Sequence, residues 1–181
     1  MTATVRRAQG IDAEAIRSIY NTEVLDSTAT MDLVARSVDE HRDWMGRHEG
    51  AHPVIVAIGP MGPMGPNRGT QVPGAHEGQE ILGFASLSPW RDRPAYRGTV
   101  ENSVYVARSA QGSGVGRLLL TSILELGAEH GFHVCMARIA GGNEASVRLH
   151  ASCGFEVMGV EREVGRKFNR WIDITVMQRR L

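Results

Sequence analysis

The sequence is poor in cysteine and in net charge, and each shortage argues against a class of protein. Its 181 residues include two cysteines, Cys135 and Cys153, which are too few for a disulfide framework. Twenty basic and twenty acidic side chains cancel, which argues against nucleic-acid binding through bulk charge. No apolar run approaches the roughly 20 residues of a membrane span. The basic residues Arg6 and Arg7 are not followed by the apolar segment of a signal peptide. We therefore expect a reduced, cytoplasmic protein with neither a membrane nor a nucleic-acid partner.

The length and the hydrophobic patterning predict one globular domain over residues 1–181. Domains commonly hold about 100–200 residues, and a chain of this size buries a stable core without staples. Alternating and helically spaced apolar residues predict the element order β-α-α-β-β-β-α-β-α-β-β. Ser37 and Glu40 form a capping box that marks the start of the second helix. No internal repeat interrupts this order.

A glycine- and proline-rich segment, residues 59–80, separates two predicted strands at residues 53–58 and 81–87. Gly-Pro triplets begin at Gly59, Gly62 and Gly65, but collagen needs many such triplets in succession. The segment is therefore predicted to be a long, flexible insertion. Long loops are sometimes functional, so a role in binding stays open.

The most informative stretch is the hexapeptide QGSGVG at residues 111–116, which follows a predicted strand and opens a predicted helix. Glycines let backbone N–H groups approach an anion closely, and the start of a helix adds the positive end of its dipole. The pattern lacks the spacing of a dinucleotide-binding GxGxxG and the Gly-Lys-Ser/Thr of a Walker loop. These features favour a pyrophosphate cradle, although a glycine-rich turn that merely begins a helix would have the same sequence.

This stretch resembles the acetyl-CoA pyrophosphate loop, Gln-x-x-Gly-x-Gly, of the GNAT acetyltransferase superfamily, and the element order matches that fold. The segments TVENSVYV (residues 99–106) and KFNRWID (residues 167–173) resemble the branch that contains phosphinothricin, methionine sulfoximine and methionine sulfone acetyltransferases. The resemblance covers almost the whole chain. It implies a mixed α/β (α+β) fold with a central, mostly antiparallel, twisted sheet flanked by about four helices. The sequence departs from the branch in the long insertion, in Met31 where an aromatic residue is frequent, and in Asn169 where glycine is usual.

The resemblance implies acetyl-CoA as co-substrate and no metal. Main-chain groups of the strand at residues 99–106 would pair with the pantetheine arm, and the glycine loop at residues 111–116 would hold the pyrophosphate. Asn143, at the start of a later helix, would form a hydrogen bond with CoA. The implied cofactor-binding residues are Val104, Tyr105, Val106, Gln111, Gly112, Ser113, Gly114, Val115, Gly116, Arg117 and Asn143. By residue type alone, the strand residues could be only core and Asn143 could be only a helix cap.

Two residues are candidates for proton transfer. Glu101 is a carboxylate inside an apolar β-type run, and the branch places its general base at this position. His150 lies near the place where many GNAT enzymes carry a tyrosine that protonates the leaving thiolate, and histidine can exchange a proton near neutral pH. From the residues alone, Glu101 could instead be a solvated strand residue and His150 a partly buried structural histidine.

The resemblance also implies the substrate contacts, which are Met31, Arg91 and Arg93. Arginine suits bidentate recognition of a carboxylate, phosphinate or sulfone oxygen, although the two arginines could form only a solvated loop. The implied reaction is direct transfer of acetyl, in a ternary complex, to the α-amine of L-phosphinothricin, methionine sulfoximine or methionine sulfone. The implied assembly is a homodimer. The alternatives are a GNAT enzyme for another amine, such as a metabolite or a protein N-terminus, and a non-catalytic acyl-CoA-binding module.

Overall fold

The computed structural model of the protein describes residues 3–60 and 79–181. Within them the chain forms a mixed α/β domain of four α-helices and seven strands. The helices are α1 (Ala13–Asp26), α2 (Val38–Gly46), α3 (Val115–Glu129) and α4 (Glu144–Ser152). The strands are β1 (Thr4–Arg7), β2 (Val54–Pro60), β3 (Gln79–Pro89), β4 (Thr99–Val106), β5 (Val134–Ala140), β6 (Glu156–Lys167) and β7 (Arg170–Arg180).

The strands form one sheet in the order β1-β2-β3-β4-β5-β7-β6. All neighbouring strands run antiparallel except β4 and β5, which are parallel. The parallel pairing covers only Thr99↔Val134 to Glu101↔Met136. Beyond Glu101 the two strands separate, while β4 stays paired with β3 as far as Val106. The sheet is therefore split between β4 and β5 over their carboxyl-terminal halves.

Each face of the sheet carries its own apolar core, because successive side chains of a strand point to opposite faces. On one face, α1 and α2 cover Phe84 and Tyr105, with Ile16 fully buried between them. On the other face, α3 packs Leu119 and Ile123 against the sheet, and both are fully buried. Residues of β4 with odd numbers thus face α1 and α2, and those with even numbers face α3 and α4.

The structure confirms the element order and the sheet class predicted from the sequence, and it reproduces the predicted strand at residues 99–106. The predicted insertion, residues 59–80, is too long at both ends. β2 continues to Pro60 and β3 begins at Gln79, since Gly59 pairs with Glu80 and Pro60 with Gln79. The remainder of the predicted insertion, residues 61–78, lies outside the described residues.

The β6–β7 turn has the left-handed conformation predicted at Asn169, whose φ is 59°. Phe168 adopts it as well, with φ of 48°. A two-residue hairpin turn of type I′ requires positive φ at both central positions, so the tight turn imposes this unusual conformation on a phenylalanine. In the described part of the chain, no helix has the length and apolarity needed to cross a membrane.

Candidate active site

A cavity of about 290 Å³ lies where β4 and β5 separate. Its lining includes Glu101 and Val104 of β4, Arg138 of β5, His150 of α4, and Met31 in the segment after α1. The cavity thus receives groups from both faces of the sheet. A split in a parallel strand pair exposes main-chain groups and side chains together, which suits a site for two substrates.

Glu101 reaches the cavity from the face covered by α1 and α2. It lies opposite Ser88 in the β3–β4 register and four residues before Tyr105, which stacks on Phe84. Burial raises the pKa of the Glu101 carboxyl, and the charge of Glu161 raises it further, while Arg138 and Arg91 lower it. A carboxylate with a raised pKa is a stronger base for an amine proton than a solvated one.

His150 lies on the opposite face and is 4% exposed. Its Nδ1 is 2.8 Å from the carbonyl oxygen of Ser146, and its Nε2 is 3.1 Å from Oδ1 of Asn102. The Ser146 hydroxyl is a further neighbour, with Oγ 3.3 Å from Nδ1. Burial lowers the pKa of the imidazole, and the hydrogen bond to the Ser146 carbonyl opposes that shift. The predicted acid and base therefore stand on opposite sides of the same split in the sheet.

Asn102 is a site residue that sequence reasoning missed. It is 6% exposed, and its Nδ2 donates to the carbonyl oxygen of Met136 at 3.0 Å on β5. Its Oδ1 meets His150, so one amide ties β4 to β5 where the strands separate and also orients the histidine. A polar amide on the core-facing side of the run TVENSVYV was the available signal.

The hexapeptide at residues 111–116 forms an open backbone turn that leads into α3. Gly112 and Gly114 have φ of 73° and 89°, and a Cβ at either position would meet no atom within 4 Å. Gly114 caps α3 with no side-chain hydrogen bond to the first turn, so the N–H groups of Val115 to Arg117 are available to an anion. Backbone conformation and open space, rather than crowding, thus explain these two glycines, and the turn fits a pyrophosphate.

The β4 strand edge and the α4 cap complete a possible acetyl-CoA site. The β4–β5 register ends at Glu101, so the main chain of residues 104–106 has no β5 partner and could pair with an extended ligand arm. The carbonyl oxygen of Val106 accepts from Nε2 of Gln111 at 3.4 Å. Asn143 accepts a hydrogen bond from the Ser146 N–H at 3.1 Å and also lines the cavity. The capping role of Asn143 is therefore present, and a contact to a ligand is compatible with it.

The three residues expected to contact substrate lie in two places. Met31 lines the cavity, whereas Arg91 and Arg93 are exposed in the loop between β3 and β4. The Arg91 guanidinium lies 5.0 Å from the centre of the Trp90 ring and lowers the pKa of Glu101, so its charge acts on the site. Neither Arg91 nor Arg93 lines the cavity in this structure.

A polar network behind Met31 was also missed. The Tyr20 hydroxyl is 2.9 Å from Oγ1 of Thr30 and donates to Asp32 at 2.6 Å, and Arg36 donates to the same carboxylate at 3.0 Å. These partners hold the segment after α1 against that helix. The two contacts of Tyr20 join residues 10 and 12 positions apart, so no local pattern revealed them, whereas Arg36 and Asp32 are four positions apart.

Two further observations concern a possible cysteine nucleophile and a possible metal-binding group. Cys135 is fully buried, and burial raises the pKa of its thiol to about 12, so it is unsuited to act as a nucleophile. Among residues 3–60 and 79–181, no three His, Cys, Asp or Glu side chains form a group that could hold a metal ion. The site therefore contains two candidates for proton transfer, Glu101 and His150, beside a glycine turn that fits an anion.

Comparison with known proteins agrees with this geometry. Residues 35–155 match the acetyltransferase (GNAT) family. The chain is 39% identical to a phosphinothricin N-acetyltransferase of Streptomyces coelicolor, over 99% of this chain and 98% of that protein. It is 36% identical to an L-methionine sulfoximine/L-methionine sulfone acetyltransferase of Pseudomonas paraeruginosa, over 98% of this chain and 94% of that protein.

A solved structure is similar over the whole length. It is a GNAT superfamily phosphinothricin acetyltransferase from Sinorhizobium meliloti in complex with acetyl-CoA. The TM-score is 0.86 and the identity 33%, with 100% of this chain and 89% of that chain covered. The fold of this chain is thus similar to one that has been solved with acetyl-CoA.

Proposed function

The chain belongs to the acetyltransferase (GNAT) family and is an acetyl-CoA-dependent N-acetyltransferase, and we propose that its acceptor is the α-amine of a small amino-acid analogue. L-Phosphinothricin, methionine sulfoximine and methionine sulfone are the proposed substrates, because the two relatives described above, which match nearly the full length, are named for them. The observation that carries the proposal is the cavity at the β4–β5 split, with Glu101 on one face and His150 on the other.

Acetyl-CoA would lie along the α3 and α4 side of this split. The glycine turn fits its pyrophosphate, because Gly112 and Gly114 leave open space above free N–H groups. The unpaired edge of residues 104–106 would pair with the pantetheine arm, and Asn143 would bond CoA from the start of α4. Acetyl-CoA supplies the thioester that is cleaved when the acetyl group moves to the amine.

Glu101 would remove the proton of the substrate ammonium, directly or through one water. Its raised pKa and its place on the opposite face from the proposed CoA site support this role. The freed amine would attack the thioester carbon, and main-chain N–H groups of β4 would polarise the carbonyl. Transfer would be direct, because the pKa of Cys135 near 12 argues against an acyl-cysteine.

His150 would protonate the thiolate of CoA as it leaves. Burial lowers the pKa of the imidazole, and the Ser146 carbonyl oxygen at Nδ1 opposes that shift by favouring the protonated ring that a general acid needs. Asn102 would keep the ring oriented towards the split. Arg91 and Arg93 would bind acidic oxygens of the substrate from the β3–β4 loop, and Met31 would form part of the pocket wall.

We further propose a cytoplasmic homodimer. β6 is a 12-residue edge strand whose side chains are exposed at nearly every position, including Val157, Met158, Val160 and Val164. A long apolar edge is a liability unless it is covered, and a second copy can cover it because an edge strand is self-complementary across a two-fold axis. Light scattering should give a dimer for wild type and a monomer for Val160→Asp; a wild-type monomer would contradict the proposal.

The proposed cytoplasmic location is supported by the free thiols of Cys135 and Cys153, which suit a reducing compartment.

The test of function is release of free CoA from acetyl-CoA with the three proposed substrates in parallel. The matched controls are their N-acetylated forms, which lack the reacting amine. Turnover with at least one amine and none with the controls would support the proposal. Tight acetyl-CoA binding without turnover would favour another amine, for which amino acids and protein N-terminal peptides are the next panel.

A further inference from the structure

The branch-like motif KFNRW contains the only lysine of the chain, and this lysine is buried. Lys167 is 3% exposed, at the end of β6. Lysine is almost never fully buried unless its ammonium has partners. Here the Nζ donates to the main-chain oxygen of Thr30 at 2.9 Å and approaches that of Glu23 at 3.4 Å. The two charged neighbours of the ammonium are Asp32 and Glu23, which oppose the lowering of its pKa by burial.

These two carbonyls bound the segment that forms one wall of the cavity. Glu23 lies in the last turn of α1, where a cation is favourable, and its carbonyl oxygen also accepts from the N–H of Ser27 at 3.3 Å. Thr30 lies among the lining residues, together with Met31 and Asp32. One ammonium therefore joins the end of α1 to the cavity wall, from a hairpin more than 130 residues away in sequence.

The same hairpin also receives the side chain of Met31. A Cβ built on Gly165 would lie 2.7 Å from the sulfur of Met31, well inside contact distance. Gly165 does not have positive φ, so its backbone conformation would accept alanine. A methyl group at this position would therefore push the flexible end of the Met31 side chain aside.

We propose that Lys167 and Gly165 are positioning residues that set the acceptor-side wall of the active site, and with it the selectivity for the amine substrate. Lys167 holds the main chain of the wall at Thr30, and Gly165 sets how far Met31 can withdraw from the cavity. Neither residue touches the proposed acetyl-CoA site. This inference rests on the proposed function, since it takes the wall of residues 29–32 to face the amine.

The first test compares Lys167→Met with Arg166→Met, which removes the neighbouring but exposed cation of the same hairpin. KM should be measured separately for the amine and for acetyl-CoA. We expect Lys167→Met to raise KM for the amine about tenfold or more, with KM for acetyl-CoA within about twofold of wild type. Arg166→Met should leave both unchanged. Equal effects of Lys167→Met on both KM values, or equal effects of the two variants, would overturn the inference.

The second test is a double-mutant cycle that does not depend on Lys167 variants folding. Gly165→Ala should change the relative kcat/KM among the amine substrates, because it displaces the Met31 sulfur. In a Met31→Ala background the same substitution should change selectivity little, so the two effects should be non-additive. Additive effects would overturn the role of Gly165.

A thermal-unfolding version of the cycle separates this inference from the proposed function. If wild type acetylates none of the proposed amines, the proposed function fails, yet the wall contacts can still be measured. Gly165→Ala should lower Tm more when Met31 is present than in the Met31→Ala background. Equal losses of Tm in the two backgrounds would show that the contact does not set the wall, and would overturn the inference without reference to activity.

Discussion

At the scale of single residues, the proposed removal of the amine proton depends on the ionisation of Glu101. Four influences act on its pKa: burial and Glu161 raise it, while Arg138 and Arg91 lower it. As a base, Glu101 must be ionised, so kcat/KM should fall as the pH falls through its pKa. Because the net shift is upward, that acidic limb should lie above the usual pKa range of a glutamate.

Arg138 and Glu161 provide a matched pair of charge changes. Arg138→Gln removes a positive charge and should move the acidic limb to higher pH, by up to about one unit. Glu161→Gln removes a negative charge and should move it to lower pH by a similar amount. The measurement is kcat/KM for the amine from pH 5 to 9. If both substitutions shift the acidic limb in the same direction, or if neither shifts it, the pH profile does not report the ionisation of Glu101.

His41 carries a second residue-scale prediction, on stability. It is 1% exposed, and neither ring nitrogen has a hydrogen-bond partner in the described part of the chain. Burial, followed by the charges of Arg36 and Arg17, lowers its pKa to about 4. The unfolded chain binds the proton near pH 6.5, so stability falls as the pH falls from about 6.5 to 4, by roughly 3 kcal/mol.

His41→Leu should remove this pH dependence. It should also stabilise the fold at pH 8, where the ring is neutral in both states, because no unsatisfied nitrogen remains buried. Urea unfolding at pH 8 and pH 5 measures both effects. The same loss of stability between the two pH values in wild type and variant would contradict the burial argument.

At the scale of elements, the two ends of α3 give a controlled test of the cradle. Gly114 before the helix and Gly131 after it have φ of 89° and 81°, and neither would crowd a Cβ. Alanine at either position therefore carries the same backbone strain, about 1–2 kcal/mol. Only Gly114 lies in the proposed pyrophosphate site.

We expect Gly114→Ala to raise KM for acetyl-CoA about tenfold or more, beyond its effect on stability. Gly131→Ala should lower Tm by a similar amount and leave KM for acetyl-CoA near wild type. Steady-state kinetics and thermal unfolding of both variants make the comparison. If the two variants raise KM for acetyl-CoA alike, the effect comes from helix strain and the cradle assignment fails.

Elements were predictable where the signal is local. The run TVENSVYV gave the bounds of β4, and the Ser37–Glu40 capping box places the start of α2 as predicted. Strand ends next to residues 61–78 were not predictable, because Gly59 and Pro60 join β2 only through pairing with β3. The left-handed Phe168 was likewise imposed by the hairpin rather than by its own preference.

The sequence did not reveal the side-chain contacts of the site that join residues far apart in the chain. Asn102 meets His150, 48 residues away, and Lys167 meets Thr30, 137 residues away. Neither residue type nor spacing predicts such contacts. Glu101, His150 and Met31 were predicted through the resemblance to the branch, and the structure brings all three to one cavity. Their roles remain proposals.

At the scale of the whole molecule, one arrangement unites these observations. The sheet parts between β4 and β5, the two helix layers cover opposite faces, and the cavity opens to both. An amine reaching Glu101 from the α1 and α2 side would meet a thioester held from the α3 and α4 side. The central claim is that Glu101 serves proton removal and not acetyl-CoA binding.

The most direct measurement is kcat/KM for the best proposed amine, beside the Kd for acetyl-CoA, in wild type and Glu101→Gln. The account predicts a loss of kcat/KM of roughly 100- to 10,000-fold, the usual contribution of a general base, with the Kd unchanged. Glutamine keeps the shape of the side chain and removes only its basicity. Unchanged turnover in Glu101→Gln, or a loss explained by weaker acetyl-CoA binding, would contradict the account.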